Sequence, residues 1–169
     1  MTSSPAPHPA CLHLNRGVRH RILTGHPWVF ASEVGRIEGV AEEGGTVEIR
    51  SPKGDFLGSA IYNRRSQIVA RRYARERIAF DASLLSLRLD SALAYRGAGK
   101  TIAPGTARRL VWSESDQLPG LVVDQYDDVV VLQTLTLALS RHEETIADLL
   151  VQKTGCRVVL ARNDAPVRQ

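Results

Sequence analysis

Six short strand-like runs follow one another after Pro9, and their spacing restricts the fold more than any other feature of the chain. Turn sequences such as Gly44-Gly45 and 53–55 (Lys-Gly-Asp) separate them, and these residues favour reversals between antiparallel strands. Small residues at 58–60 allow a strand to curve tightly. The pattern predicts a compact β-barrel built from the runs Cys11–Leu14, Val29–Phe30, Val34–Ile37, Thr46–Arg50, Phe56–Tyr62 and Ile68–Tyr73.

Helical spacing occurs at three places. Between Arg16 and Leu23 it suits one or two turns that end at Gly25. Residues 81–96 predict a longer helix with Asp81 as its N-cap, and residues 141–153 predict another. Strands are expected at 108–113, 120–126, 129–136 and 157–161.

The predicted fold class is therefore mostly β, a small barrel followed by a small α+β domain of three strands, a helix and a strand. We expect four segments: a disordered N-terminus at 1–10, a β-barrel at 11–75, a linking helix at 76–99 and a connector domain at 100–169. The first ten residues contain three prolines and two serines, which leaves little to bury.

Positive charge is concentrated in the front part of the chain. Up to Arg75 there are eleven Lys and Arg against six Asp and Glu, a net +5, whereas the remainder has eleven against twelve, a net −1. A basic segment beside a near-neutral one is typical of a protein that contacts phosphates with one end. A solvated basic surface without a ligand is the alternative.

Arginine dominates that positive charge, and a guanidinium group binds phosphate with two hydrogen bonds. Because neighbouring residues of a strand face opposite sides, Arg71 and Arg72 cannot both face one ligand. Trp28 and Phe30 either stack on a base or belong to the core, and His26 has the same ambiguity. The candidate RNA-binding residues are Arg16, Arg19, Arg21, Arg64, Arg65, Arg72 and Trp28.

Other chemistry has weaker support. Glu114, Asp116 and Asp124 either form an acid–base set or satisfy backbone groups of a turn, which the surrounding sequence favours. Cys11 and Cys156 lack metal-ligand spacing, so neither a metal nor a disulfide is expected. The sequence has no secretion signal and no run of about 18 apolar residues, so we expect a cytoplasmic protein without a membrane partner.

Two long motifs resemble a known family. GHPWVF, within the segment from Leu14 to Phe30, and the later IVARRY are similar to the N-terminal PUA domain of bacterial large-subunit rRNA cytosine-5 methyltransferases. ESDQLPGLVVDQY, VVVLQTLT and ARNDAPVR resemble the central domain of the same family. The resemblance implies ribosomal RNA as the partner and S-adenosylmethionine as the cofactor of the full-length enzymes.

In that family a catalytic domain follows, with a glycine-bearing cofactor loop and a nucleophilic cysteine. Neither can be placed on this sequence, so we expect RNA binding without methyl transfer by this chain alone, no cofactor of its own, and no catalytic or metal-binding residue. One alternative is an independent RNA-binding adaptor whose rear domain binds a protein partner, such as a separately encoded catalytic subunit. Alternative partners besides RNA are a second copy of the chain, as a homodimer, and the missing catalytic domain. A carboxylate-based hydrolase is a further alternative.

Overall fold

A computed structural model of the chain describes residues 10–17, 20–97 and 105–163. The chain divides into two compact units, Met1–Ile78 and Ala79–Gln169. The expectation of disorder at 1–10 falls outside the described residues except for Ala10, which begins the first strand. The predicted fold class, mostly β with an α+β region after it, is confirmed.

The front unit is one curled six-stranded sheet in the strand order β2-β6-β5-β4-β1-β3. β1 lies parallel to β4 and antiparallel to β3, and the remaining pairs are antiparallel. The order among the described strands is open, with β2 and β3 at its two edges, so the sheet forms a half-barrel. Its strands are β1 (Ala10–Leu14), β2 (Trp28–Phe30), β3 (Val34–Glu38), β4 (Thr46–Arg50), β5 (Phe56–Tyr62) and β6 (Ile68–Ala74).

The core of the front unit lies on one face of this sheet. Leu12, Val29, Ile49 and Ala60 are fully buried there, each from a different strand. The alternation of apolar and polar residues places these side chains on the same face. Ile22 joins them from a short 3-10 helix and so attaches that helix to the sheet.

The predicted helix between Arg16 and Leu23 is wrong in extent. The structure contains a single 3-10 turn, Arg21–Thr24, which ends as expected at Gly25 in the left-handed conformation. Gly17 has a φ of 84° and His20 is extended, and both interrupt a helical backbone before Arg21. Arg16 therefore lies in a bend after β1.

The rear unit is a four-stranded sheet in the order β10-β9-β8-β7 with helices packed on one face. β7 to β9 form an antiparallel meander, and β10 returns parallel to β9 after a helix. Its elements are α1 (Ala82–Tyr95), β7 (Ala107–Trp112), β8 (Leu121–Tyr126), β9 (Val129–Thr134), α2 (Leu137–Ser140), α3 (Glu143–Thr154) and β10 (Val158–Ala161).

Helix α1 is part of the rear unit's core. Asp81 caps it by accepting a hydrogen bond from Leu84 N at 3.0 Å, as the sequence predicts. Leu85 and Leu89 are fully buried against the sheet. The sequence predicts a linking helix at 76–99. In the structure, the buried residues of α1 pack in the core of the rear unit.

Two smaller expectations for the rear unit need correction. The predicted strand 129–136 ends at Thr134, because the chain turns directly into α2. A histidine in the first turn of the predicted helix 141–153 is expected to be exposed, but His142 is half-buried, since its ring contacts Phe80 edge-on with the centroids 5.6 Å apart.

Candidate nucleic-acid interface

Strand β2 carries the most prominent group of ring and arginine side chains in the front unit. It is an edge strand, paired with β6 alone among the described strands. Val29 points into the core and is fully buried, so the alternation of a strand turns Trp28 and Phe30 to the opposite face. Both rings are half-buried there.

Three rings form a continuous row along this strand, which we call the aromatic ladder: His26, Trp28 and Phe30. The centroids of His26 and Trp28 lie 5.1 Å apart, and those of Trp28 and Phe30 lie 6.3 Å apart, both with an interplanar angle of 77°. Such edge-to-face contacts are the favoured arrangement of aromatic pairs. The ladder is therefore held in place by its own ring contacts.

Two guanidinium groups lie over the ladder. Arg71, directly opposite Trp28 in the register of β2 and β6, places Cζ 4.9 Å from the centroid of the Trp28 ring. Arg21, from the 3-10 turn, places Cζ 5.7 Å from the centroid of Phe30. At these distances a cation is attracted to the face of a ring.

Further arginines lie at the end of β2 that follows Phe30. Arg64 and Arg65 are exposed in the turn between β5 and β6. Ala31 N donates to Gln67 O at 2.9 Å, which ties that turn to the end of β2. The Arg64 backbone N–H donates to Glu43, but neither guanidinium group of the pair has a carboxylate partner among the described residues.

Arg16 reaches the same end from another direction. Asn15 is bonded to the segment after β2, donating from its backbone to Glu33 O at 2.9 Å and from its side chain to Ser32 O at 2.7 Å. The neighbouring Arg16 is exposed. Arg19, which the sequence also proposes, lies outside the described residues.

Arg72 has a different role from the other candidates. Its Nη1 and Nη2 donate to the carbonyl oxygens of Leu57 and Gly25, each at 3.2 Å. Burial, and next the positive charge of Arg75, lower the pKa of the Arg72 guanidinium. Arg72 thus connects β5 to the end of the 3-10 turn, on the opposite side of β6 from Arg71, as strand alternation requires.

Two further arginines of this region, Arg71 and Arg75, are not identified as candidates by the sequence alone. Only one of the adjacent Arg71 and Arg72 can face a ligand, and the position of Arg71 opposite Trp28 is visible only in the strand register. Arg75 follows β6 and is exposed, and its Nη2 lies 3.9 Å from where a Cβ on Gly25 would stand. Pairing the GHPWVF strand with the IVARRY strand in the correct register would have identified Arg71.

A buried polar pair supports the segment between β1 and the 3-10 turn. His20 is 2% exposed, with Nε2 2.9 Å from Asn15 O and Nδ1 3.4 Å from a carboxylate oxygen of Glu33. The other carboxylate oxygen of Glu33 accepts from Phe30 N at 2.8 Å. Glu33 therefore links the backbone of β2 to the loop that carries Arg16.

The rear carboxylates Asp116 and Asp124 are both engaged in ion pairs. Asp116 makes two hydrogen bonds to Arg96, at 2.9 and 2.7 Å, and also accepts from Trp112 N. Asp124 makes two to Arg109, at 2.7 and 2.8 Å, and this hydrogen bonding raises the pKa of Arg109. Both carboxylates serve structural ion pairs, and this removes the support for a hydrolase.

The residue types that ligate metals do not cluster within the described ranges. No group of three or more His, Cys, Asp or Glu side chains there could hold a metal ion. A glycine-bearing loop between a strand and a helix is what the family resemblance implies for S-adenosylmethionine, but the link from β9 to α2 is Leu135-Thr136. No helix within the described ranges is long and apolar enough to cross a membrane.

Comparison with known proteins shows which families the chain is similar to. Residues 12–75 match the model of the PUA-like domain. The chain is 30% identical over 158 residues to ribosomal RNA large subunit methyltransferase I of Vibrio cholerae, which covers 94% of this chain and 40% of that protein. The protein of the same name from Aliivibrio fischeri is 32% identical over 94% of the chain and 40% of its own length.

Solved structures show the same fold. A protein of Streptococcus mutans assigned as a SAM-dependent methyltransferase superposes with a TM-score of 0.73 at 15% identity, over 90% of this chain and 40% of that one. A methyltransferase structure complexed with SAH gives 0.74 at 15% identity, over 92% and 43%.

The chain thus spans about 40% of the length of the curated relatives it matches. Residues 12–75 match a PUA-like domain, and most of the chain is similar to ribosomal RNA large subunit methyltransferases.

Proposed function

We propose that this chain is the RNA-binding portion of a cytoplasmic methyltransferase that uses S-adenosylmethionine to modify cytosine C5 in large-subunit ribosomal RNA. On this proposal the chain holds RNA and does not transfer a methyl group by itself. The similarity to rRNA methyltransferases over 94% of the chain, together with the PUA-like domain, is the observation that carries the proposal. The site adds physical support, because arginines from four separate segments lie near one sheet edge: the loop after β1, the 3-10 turn, the β5–β6 turn and β6.

Phosphate contacts are expected to dominate the affinity. Arg16, Arg64 and Arg65 are exposed and have no carboxylate partner among the described residues, so their charges remain available to a polyanion. Each phosphate contact releases condensed counterions, which makes binding fall steeply with salt. The proposed surface therefore predicts a strong salt dependence with little dependence on base sequence.

The test replaces those three arginines together with alanine and measures affinity for ribosomal RNA fragments at two salt concentrations. We expect the slope of log affinity against log salt to decrease by about one for each arginine–phosphate pair that the substitutions remove. The control variant Arg36→Ala, Arg141→Ala, Arg157→Ala removes the same charge elsewhere, since Arg36 lies on β3 at the opposite edge and the other two lie in the rear unit. Equal affinity and slope in both triple variants would refute the surface.

An adaptor that binds a protein partner is the second candidate. Its specific support is the helix-free face of the rear sheet, where Trp112 is 48% exposed, Tyr126 50% and Leu160 51%. Calorimetric titration with the separately produced catalytic portion of the Vibrio cholerae relative tests it. Binding that is abolished in Trp112→Glu would support this candidate, and no heat of binding would exclude that partner.

A further inference from the structure

The aromatic ladder and its two arginines form a binding strip one strand wide. Its planar groups are the rings of His26, Trp28 and Phe30 and the guanidinium groups of Arg21 and Arg71, with the cations 5.7 and 4.9 Å from the ring centroids. We infer that this strip binds unpaired nucleotides of RNA by stacking their bases. The inference rests on the proposed function and specifies the RNA class that the front unit selects.

The edge of β2 is closed to a peptide strand. A β-strand partner would need the outward N–H groups of β2, but Trp28 N donates to His26 Nδ1 at 3.2 Å and Phe30 N donates to Glu33 at 2.8 Å. The inward groups are used as well, since Pro27 O accepts from Arg72 N at 2.7 Å. Because strand addition depends on such backbone groups, a ligand at this edge must be recognised by side chains.

Those side chains suit bases rather than a duplex. In an A-form helix the base faces are covered by their neighbours, and recognition depends on shape, phosphates and hydroxyl groups. Unpaired bases expose their faces and stack on aromatic rings or on guanidinium planes. Arg71, placed over Trp28, provides such a plane.

The rear unit contains a matched pair that should lack this activity. Arg109 lies over Trp112 with Cζ 4.3 Å from the ring centroid, and this is the same pair of residue types as Arg71 over Trp28. Asp124, however, makes two hydrogen bonds to Arg109, and its carboxylate offsets the positive charge. Trp112 therefore controls for the removal of a tryptophan beside an arginine.

The experiment compares two probes and two variants of the full chain. The probes are a single-stranded oligouridine of about twelve nucleotides, within the range of known single-strand site sizes, and a blunt RNA duplex with the same number of phosphates. Trp28→Leu should weaken oligouridine binding about tenfold, the expected effect of removing one stacked base. It should leave duplex affinity within about twofold, and Trp112→Leu should change neither.

A second measurement does not depend on the Trp28→Leu variant being folded. In a Trp112→Phe protein, Trp28 is the only tryptophan, and saturation with oligouridine should quench its fluorescence while the duplex leaves it unchanged. If wild-type protein binds neither probe, the proposed function fails together with the inference. If RNA binds but Trp28 fluorescence does not respond, or Trp28→Leu weakens both probes equally, the stacking strip alone is refuted.

Discussion

Replacing Gly58 with alanine should destabilise the front unit and loosen the β2 edge at the same time. Gly58, in β5, has a φ of 142°, and a Cβ there would stand 2.4 Å from Arg72 Cδ and 2.5 Å from Ala74 O. Residues other than glycine rarely adopt such a φ. The Ala74 carbonyl oxygen belongs to the backbone and cannot move aside as a flexible side chain can. Arg72 would be displaced from Gly25 O, a contact that supports the end of the 3-10 turn bearing Arg21.

The expected destabilisation has two parts. A strained backbone conformation contributes about 1–3 kcal/mol, and overpacking contributes about 1–3 kcal/mol more. The sum, about 2–6 kcal/mol, is a large share of the roughly 5–15 kcal/mol that stabilises a typical domain. RNA affinity should fall as well, because Arg21 would no longer be held over Phe30.

Urea unfolding of the Trp112→Phe protein measures this, since Trp28 then reports on the front unit alone. Gly54→Ala is the control. Gly54 has a φ of 98°, but nothing lies within 4 Å of the added Cβ, so this substitution causes only the backbone strain. We expect the destabilisation by Gly58→Ala to exceed that by Gly54→Ala by about 1–3 kcal/mol. Equal destabilisation in the two variants would show that the close approach to Arg72 and Ala74 contributes nothing.

Two further predictions concern charged groups away from the β2 edge. Asp116→Asn should lower the free energy of unfolding of the rear unit by about 3 kcal/mol, because it leaves Arg96 without its charge partner in a largely buried pair. Denaturation followed by Trp112 fluorescence measures this change. A decrease below about 0.5 kcal/mol, typical of a surface substitution, would contradict the prediction. His13 should show a pKa below 6.5 by NMR, chiefly because burial and then the charges of Arg36 and Arg50 penalise its protonated form. Since the unfolded state then binds the proton more readily, the stability contributed by neutral His13 is present above pH 6.5 and is lost as the pH falls through the folded-state pKa. His13→Asn should flatten that decline, and an unchanged pH profile would refute the assignment.

Local features of the sequence are enough to predict most strands. The bounds of β4 and β5 match those predicted, because alternation and glycine turns are encoded within a few residues. The N-cap at Asp81 is predictable for the same reason. The short helix α2 is not, because four residues give too few turns for a helical period to be read.

The site is harder to predict because its decisive contacts join distant parts of the chain. Arg72 resembles a phosphate-binding residue by its type, but its hydrogen-bond partners at Gly25 and Leu57 lie 47 and 15 residues away. The pairing of Arg71 with Trp28 depends on which strand lies beside β6, and the order of strands in a sheet is not written in any local pattern. Residue type indicates an RNA-binding class, whereas the assignment of individual arginines requires the register.

Net charge alone does not explain why the front unit would be the RNA-binding end. At physiological salt, charges farther apart than about 8 Å are largely screened, so a phosphate responds to its neighbouring side chains rather than to the total. In the rear unit Arg96, Arg109 and Arg157 each face a carboxylate within 3 Å, and their positive charge is offset locally. At the β2 edge Arg21 faces the ring of Phe30, which attracts a cation without cancelling its charge. An arginine beside an aromatic ring therefore keeps its local positive potential, whereas an arginine beside a carboxylate loses it. This difference favours the aromatic ladder as the surface that attracts phosphate.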